Sequence, residues 1–453
     1  MTYGVSALCD AVKTKSRSIP KMTVTKAVIF KNRLSFRKGG FDIPVHLPDG
    51  ERNEIKMDFD IANKIKSCFW QREPERAVET TEKHLGEIDF DDEDDVEKLI
   101  DIIIPSLGEE GGFEFLEYLI SKGFDINYKL LKKECLILKC AERFIKPQEF
   151  QRLADLGADV YSETSDGDNV LLRCVEKNEE LALYIAENFD LSQLDHSDKF
   201  GVTPLMHSVM TNNIRLTETL IKKGSDVNAT GTGVVGGNGY WIKTGGLSPL
   251  ALALRFGNEQ AAKMLLEAGA DEGLCDDEGY PPIFSLIYYP FRFLNDNHFN
   301  SPIFDKKRSI IPLMKKPDIT DSRGYTVLME ALCSKDTSYI HTNAYTSLPV
   351  TLALIENGAN VNAAANDGTT PLHLAVQTAE QATKALVKAG ADINAQDNGG
   401  NTPLILACRY CGEKIVRWLL KSGADFSIKN NAGESPADIC AARGFNDALE
   451  LMI

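Results

Sequence analysis

Apolar residues recur at i, i+3 and i+4 in QAAKMLLEAGAD (residues 260–271) and KIVRWLLKSGAD (residues 414–425), and each run stops at a glycine. That spacing predicts a short amphipathic helix closed by a residue suited to the left-handed C-cap. A second pattern lies ahead of such runs: GVTPLMHSV at Gly201, GLSPLALAL at Gly246, GTTPLHLAV at Gly368, GNTPLILAC at Gly400 and GESPADICA at Gly433. Proline there follows threonine or serine, which puts it in the first turn of a helix, where its missing N–H costs nothing, with a hydroxyl beside it to cap. Leu-x-x-Ala then gives a narrow apolar face, and the small alanine lets neighbouring helices approach.

Weaker copies of the same phrase are GYPPIFSLI at Gly279, GYTVLMEAL at Gly324 and DNVLLRCVE at Asp168. With the proline position as register, the marks fall at Val170, Pro204, Pro249, Pro282, Val327, Pro371, Pro403 and Pro436, with gaps of 34, 45, 33, 45, 44, 32 and 33. A later phrase keeps the same beat: SKGFDIN at Gly123, DLGADV at Gly157, KKGSDVNA at Gly224, EAGADE at Gly269, ENGANVNA at Gly358, KAGADINA at Gly390 and KSGADFS at Gly423. A period of about 33 with additions of about twelve is the mark of a solenoid whose insertions sit in loops.

These phrases resemble the ankyrin repeat, which combines G-x-T-P-L-H-x-A with a later G-A-D-V-N. The match is closest from 198 to 453 and looser from 58 to 197, where LGEIDF at Gly86 reads as a worn copy of the second phrase. The resemblance implies an all-α solenoid of about eleven stacked helix-turn-helix units with β-hairpin fingers and a C-terminal capping repeat. It also implies binding of another protein through the fingers and the first helices, on the concave face. Positions it assigns there are Phe200, Val202, Met210, Phe256, Tyr280, Tyr288, Tyr289, Arg323, Tyr325, Arg409 and Tyr410. Tyrosine, phenylalanine and arginine are the residue types that anchor protein interfaces. Asn228, Asn362 and Asn394 match the asparagine that family members can carry hydroxylated, against a purely structural role in the turn.

One stretch invites a different reading. GTGVVGGNGYWIKTGG (residues 231–246) contains G-x-G-x-x-G and approaches a phosphate loop, with Ile242 where the second glycine would stand. A dinucleotide loop needs a buried strand before it and a helix directly after it, and neither flank supplies one. Val234-Val235 and Tyr240-Trp241-Ile242 are β-prone runs joined by Gly-Gly-Asn-Gly, so an elongated finger is expected across the insertion 230–246. Tyr240 and Trp241 would then project from it as a contact pair. Two further insertions, 290–308 and 334–347, are expected to lengthen loops within adjacent units.

Composition narrows the function classes. Net charge is −16, against nucleic acid as the main partner, since a phosphate-binding surface needs clustered Lys and Arg, and weakly in favour of a partner with a basic surface. The acidic run GEIDFDDEDDVEKLID (residues 86–101) reads as a loop entering a helix with carboxylates at its positive end; it lacks the sixth-place glycine and twelfth-place glutamate of an EF-hand. Ten cysteines in 453 residues are too sparse for a disulfide scaffold, no apolar run reaches a membrane span and no signal-peptide core precedes residue 22, so a cytoplasmic monomer is expected. Catalytic motifs such as H-E-x-x-H and G-x-S-x-G are absent, and His207 and His373 belong to the repeat phrase; no enzyme activity, cofactor or metal is expected. Cys408 and Cys411 share one helix as core residues.

Residues 1–57 lie outside the repeat. MTVTKAVIF, RLSFR and FDIPVHL read as three short strands of a small β-containing cap on the array. Pro74 opens a helix that should close at Gly86. The favoured function is a non-catalytic protein-binding scaffold; an antidote or secreted effector using the same surface, or an enzyme with its site in the N-terminal segment, are the alternatives.

Overall fold

The computed structural model describes residues 27–30, 33–38, 41–45, 52–143, 145–175, 177–189, 195–237, 240–243, 245–287, 302–333 and 348–453, with backbone alone before residue 61 and at 234–243 and 302–305. They fall into two compact units, Met1–Asp89 and Phe90–Ile453.

In the first unit, strands Ala27–Phe30, Arg33–Lys38 and Phe41–Val45 form an antiparallel sheet in sequence order, with Ile29 opposite Leu34 and Phe36 opposite Ile43. The expected docking of this sheet as a cap stays an expectation. Helices Arg52–Trp70 and Pro74–His84 follow and pack on each other, burying Ile65, Phe69 and Ala77. Pro74 does open its helix, but Gly86 does not close it: a 3-10 turn, Leu85–Glu87, carries the chain through the glycine.

The second unit is a stack of helix pairs. Its first helices are Glu93–Ser106, Leu136–Ala141, Val170–Val175, Pro204–Met210, Pro249–Phe256, the 3-10 helix Pro282–Leu286, Val327–Leu332, Pro371–Thr378, Pro403–Tyr410 and Pro436–Arg443, and each packs against the next. A second row runs beside it, continuous from Pro147–Asp155 through Glu179–Asn188, Ile214–Lys223, Glu259–Glu267, Pro302–Ile310 and Leu348–Glu356 to Glu380–Lys388. The first helices are sandwiched, so the Leu-x-x-Ala pairs Leu250/Ala253, Leu372/Ala375 and Leu404/Ala407 are all fully buried. Each such leucine stabilises the stack by roughly 1.5–3 kcal/mol.

Local chemistry matches the phrase. Thr203, Ser248, Thr326 and Thr402 accept the N–H three residues on at 3.2–3.3 Å, one residue before the proline or valine that starts the helix. Gly224 ends its helix in the left-handed conformation, φ 94°, as the second phrase requires. The acidic run behaves as expected: Asp92 caps Glu93–Ser106 by accepting the Asp95 N–H at 3.1 Å, with Glu93, Asp94 and Asp95 in the first turn. The unit marked by Pro282 departs from the pattern. Its GYPPIFSL offers no hydroxyl cap and forms a five-residue 3-10 helix in place of an α-helix.

Neighbouring units are also tied by polar groups. An acid or amide at the end of one second phrase accepts a backbone N–H of the next: Asp195 from Asp226, Asn228 from Asp271, Asp318 from Asn360, Asn362 from Asp392 and Asn394 from Asp425, all at 2.7–2.9 Å. Asn228, Asn362 and Asn394 therefore have a structural role in the turns.

Candidate functional site

Finger geometry follows from one residue per unit. Asp198 Oδ1 accepts the N–H groups of Phe200 and Val202 at 2.8 and 2.9 Å. Asp276 does the same for Glu278 and Tyr280 at 3.0 and 2.9 Å, and Asp321 for Arg323 and Tyr325, both at 2.9 Å. An aspartate at the head of a tight loop thus fixes the residues two and four places on. Several of the residues expected to meet a partner stand at those two places.

Adjacent fingers are stitched by their backbones: Thr232 N–H to Phe200 O at 2.7 Å, Asp277 N–H to Gly245 O at 3.4 Å, and Asn366 N–H to Arg323 O at 3.0 Å. In the elongated finger, Val234–Gly237 and Tyr240–Lys243 pair antiparallel, with Val235 opposite Ile242 and Gly237 opposite Tyr240. The glycines at its base serve packing. A Cβ at Gly246 would sit 2.3 Å from Asp277 N, a backbone atom, so the next finger needs that position bare; at Gly245 it would meet the Asp277 carboxylate, which can turn aside.

The structure brings Tyr280, Arg323 and Tyr325 into one neighbourhood on consecutive fingers. The Arg323 guanidinium lies 4.5 Å over the Tyr325 ring, and its Nε donates to Asp321 Oδ2 at 2.7 Å. A second ion pair joins it to Glu330 on the following helix. Burial works against the Arg323 charge, yet its bonds to Asp321 and Glu330 carry its pKa above the ordinary arginine value. Tyr280, half-buried, lies 5.4 Å from the Phe284 ring. Burial, then the Glu330 carboxylate, pushes its phenol up; burial, then Cys333, does so for Tyr325. The group presents two phenols and a guanidinium that is itself 47% exposed.

The other expected contact residues lie apart from this cluster. Phe200, half-buried two units earlier, carries Lys199 Nζ 5.2 Å over its ring, and Lys199 pairs with Asp166 at 2.9 Å. Val202, expected on the contact face, is instead fully buried, its small apolar side chain taken into the core. Phe256 and Met210 are half-buried at helix ends. Two units beyond Arg323, Arg409 is ion-paired with Glu434 and Tyr410 is 61% exposed. Tyr288 and Tyr289 lie outside the described residues, as do the side chains of Tyr240 and Trp241 and residues 290–301 and 334–347; the rest of the insertion expected at 290–308 is not loop but the start of the helix Pro302–Ile310.

His373, in the repeat phrase, is a structural residue. Its Nδ1 receives the Thr370 N–H at 3.1 Å and its Nε2 meets Asn401 O of the next unit at 2.9 Å. Burial lowers its pKa. Among the described residues no group of three or more His, Cys, Asp or Glu side chains is placed to hold a metal ion, and no helix is long and apolar enough to cross a membrane.

Residues 190–276 and 340–430 match the family model for ankyrin repeats (3 copies). These segments are ankyrin repeats. A solved structure similar to it is the ankyrin repeat domain of Bcl-3, titled a unique member of the IkappaB protein family, at 23% identity, covering 55% of this chain and 99% of that one with a TM-score of 0.40. No curated protein matches the sequence. The acidic partners Asp321 and Glu330, which organise Arg323, were not singled out in the ankyrin phrase; the spacing D-x-R-x-Y is the signal that marks them.

Proposed function

We propose that this ankyrin-repeat protein is a non-catalytic scaffold that binds another protein through its fingers and first helices, with Tyr280, Arg323 and Tyr325 at the centre of the contact. Ankyrin repeats are generally protein–protein interaction modules. The observation that carries the reading is the Arg323 guanidinium laid over Tyr325 beside Tyr280, preset by Asp321 and Glu330 and still open to solvent. Arginine and tyrosine held in one conformation lose little entropy on binding, which is what makes them interface anchors. Phe200, Phe256, Arg409 and Tyr410 extend the surface in both directions along the stack, and Tyr240 and Trp241 add a projecting contact from the long finger.

Asp277 and Glu278, exposed in the chain just before Tyr280, add negative charge beside the cluster, so a partner with a basic surface suits it. In this role the protein is a cytoplasmic monomer, its ten cysteines being too few for a disulfide scaffold.

The test is affinity capture from a native extract with the intact chain, with Tyr280→Ala/Tyr325→Ala, and with Tyr240→Ser/Trp241→Ser, each checked for unchanged unfolding. A protein held by the intact chain and lost from the first variant supports this surface. Equal retention by all three moves the contact elsewhere, and retention that rises with salt excludes a basic partner.

A further inference from the structure

Three features stand outside the proposed surface: the buried ammonium of Lys307, the arginine hub at Arg173 and a pair of cysteines between the last two units. The cysteine pair carries furthest. Cys408, on Pro403–Tyr410, and Cys440, on Pro436–Arg443, are fully buried, and their sulfurs lie 3.1 Å apart in a thiol–thiol hydrogen bond. A disulfide holds its sulfurs at about 2.05 Å, so an ångström of approach separates this pair from a covalent link. Of all the cysteines described, these two sulfurs are the ones hydrogen-bonded to each other across a boundary between units.

We infer that Cys408 and Cys440 are a redox-sensitive latch, closed to a disulfide by a peroxide and reopened by a thiol reductant, that fixes the last helix pair to the stack.

Three observations support it. First, the sulfurs share one hydrogen bond in which Cys440 Sγ donates to Cys408 Sγ; once Cys440 gives up its proton the Cys408 thiol can donate in return, which holds Cys440 below the ordinary cysteine value. One member is thus inclined to become the thiolate that attacks, the other to stay a thiol that resolves. Second, the charged groups beside the pair act in opposite senses. Glu413 disfavours the Cys440 anion and Arg443 favours it, and Arg443 Nη1 also donates to Cys408 O at 2.9 Å and Cys411 O at 2.7 Å, bracing the two helices together. Third, this boundary is lightly held. Of the residues in Pro436–Arg443 only Pro436 and Cys440 are buried, against six in Pro249–Phe256, so local opening that admits a small oxidant is cheap there.

The chemistry balances. The Cys440 thiolate displaces hydroxide from hydrogen peroxide, forming a sulfenic acid. The Cys408 thiol then attacks that sulfur and releases water, while the hydroxide takes up the proton that Cys440 gave up. Two thiols and one peroxide become one disulfide and two waters.

The full chain, native and reduced, is titrated with hydrogen peroxide; remaining thiols are then blocked with maleimide and the digest is mapped by mass. The expected product is one cross-linked peptide pair joining Cys408 to Cys440, two hydrogens lighter, formed at about a tenth of the peroxide that modifies Cys140 or Cys174. Those two cysteines are equally buried, with thiols that burial pushes up. Amide exchange over 436–443 should slow on oxidation and recover with dithiothreitol. Cys408→Ser should leave a trappable sulfenic acid on Cys440, a readout that simple core packing does not provide. A cross-link through Cys411 instead, or a Cys408–Cys440 pair no more reactive than Cys140, overturns the inference, and both are read on the unsubstituted chain.

Discussion

Asn362 Oδ1 accepts the backbone N–H of Asp392, one unit on, at 2.7 Å, while its Nδ2 donates to Gly390 O at 3.1 Å. A single amide therefore clips the end of one unit to the turn of the next. Asn362→Ala removes both bonds, and at a net 0.5–1.5 kcal/mol each the loss should be about 1–2 kcal/mol in urea unfolding. Asn362→Asp keeps the acceptor that Asp195 and Asp318 supply at equivalent places and should cost under about 1 kcal/mol. If both variants unfold at the wild-type midpoint, the clip contributes nothing.

Gly246 and Gly279 share the left-handed conformation, φ 71° and 84°, but not the same surroundings. A Cβ at Gly246 would lie 2.3 Å from Asp277 N and 2.6 Å from Asp276 Cα, both backbone, whereas one at Gly279 meets nothing within 4 Å. Gly279→Ala should thus cost only the conformational strain, about 1–2 kcal/mol. Gly246→Ala must also move the neighbouring finger, and should cost about 3 kcal/mol or more. Equal urea midpoints for the two variants would contradict the close approach of fingers that the structure shows.

Arg173 is the hub of the earlier units, bonded to Glu134 at 2.8 Å and to Glu142, with Asp168 at 3.2 Å. Its side chain is 18% exposed, so removing it leaves carboxylates facing one another in a site that water reaches poorly. Arg173→Met should cost about 2 kcal/mol near neutral pH, less than a wholly buried pair would. By contrast the Arg417–Asp447 pair is open to solvent on both sides, and Arg417→Ala should change stability by less than about 0.5 kcal/mol. Thermal or urea unfolding of the two variants separates the cases.

The repeat was legible because its signals are local: a hydroxyl before a proline, a Leu-x-x-Ala face and a glycine at each helix end are all read within ten residues and all reappear in the caps and buried faces found. Tyr280, Arg323 and Tyr325 were named through the resemblance alone, while the aspartates that set their backbone were not read from the sequence. What stayed hidden depends on register between units. Nothing in FGVTPLMHSV distinguishes Val202, turned inward, from Phe200, half-buried two residues before it. The Cys408–Cys440 contact joins residues 32 apart, while the eye is drawn to Cys411, three away. Gly86 looked like a helix stop and is not one, because a glycine permits the left-handed conformation without imposing it.

His373 gives the stack its dependence on pH. The Thr370 N–H points at Nδ1, with Thr370 Oγ1 2.8 Å away, so Nδ1 is an acceptor and the ring proton sits on Nε2, facing Asn401 O. Protonating Nδ1 would set an N–H against the Thr370 N–H and put a charge where the side chain is 1% exposed. Burial, outweighing the help of the Asn401 carbonyl and Asp397, accordingly holds the folded-state pKa below the ordinary 6.5. Below that value the unfolded chain binds more protons than the folded one. The contribution is fully present above 6.5 and is lost as pH falls from there through the folded-state pKa. Urea midpoints of the wild type should therefore drop between about pH 7.5 and pH 5 more steeply than those of His373→Gln, which carries no titrating ring. The variant should be weaker at the upper end by about 1–2 kcal/mol, for the bonds to Thr370 and Asn401, and the gap should narrow toward the lower end. A gap that widens instead would mean that the folded protein prefers the imidazolium, with the ring turned the other way.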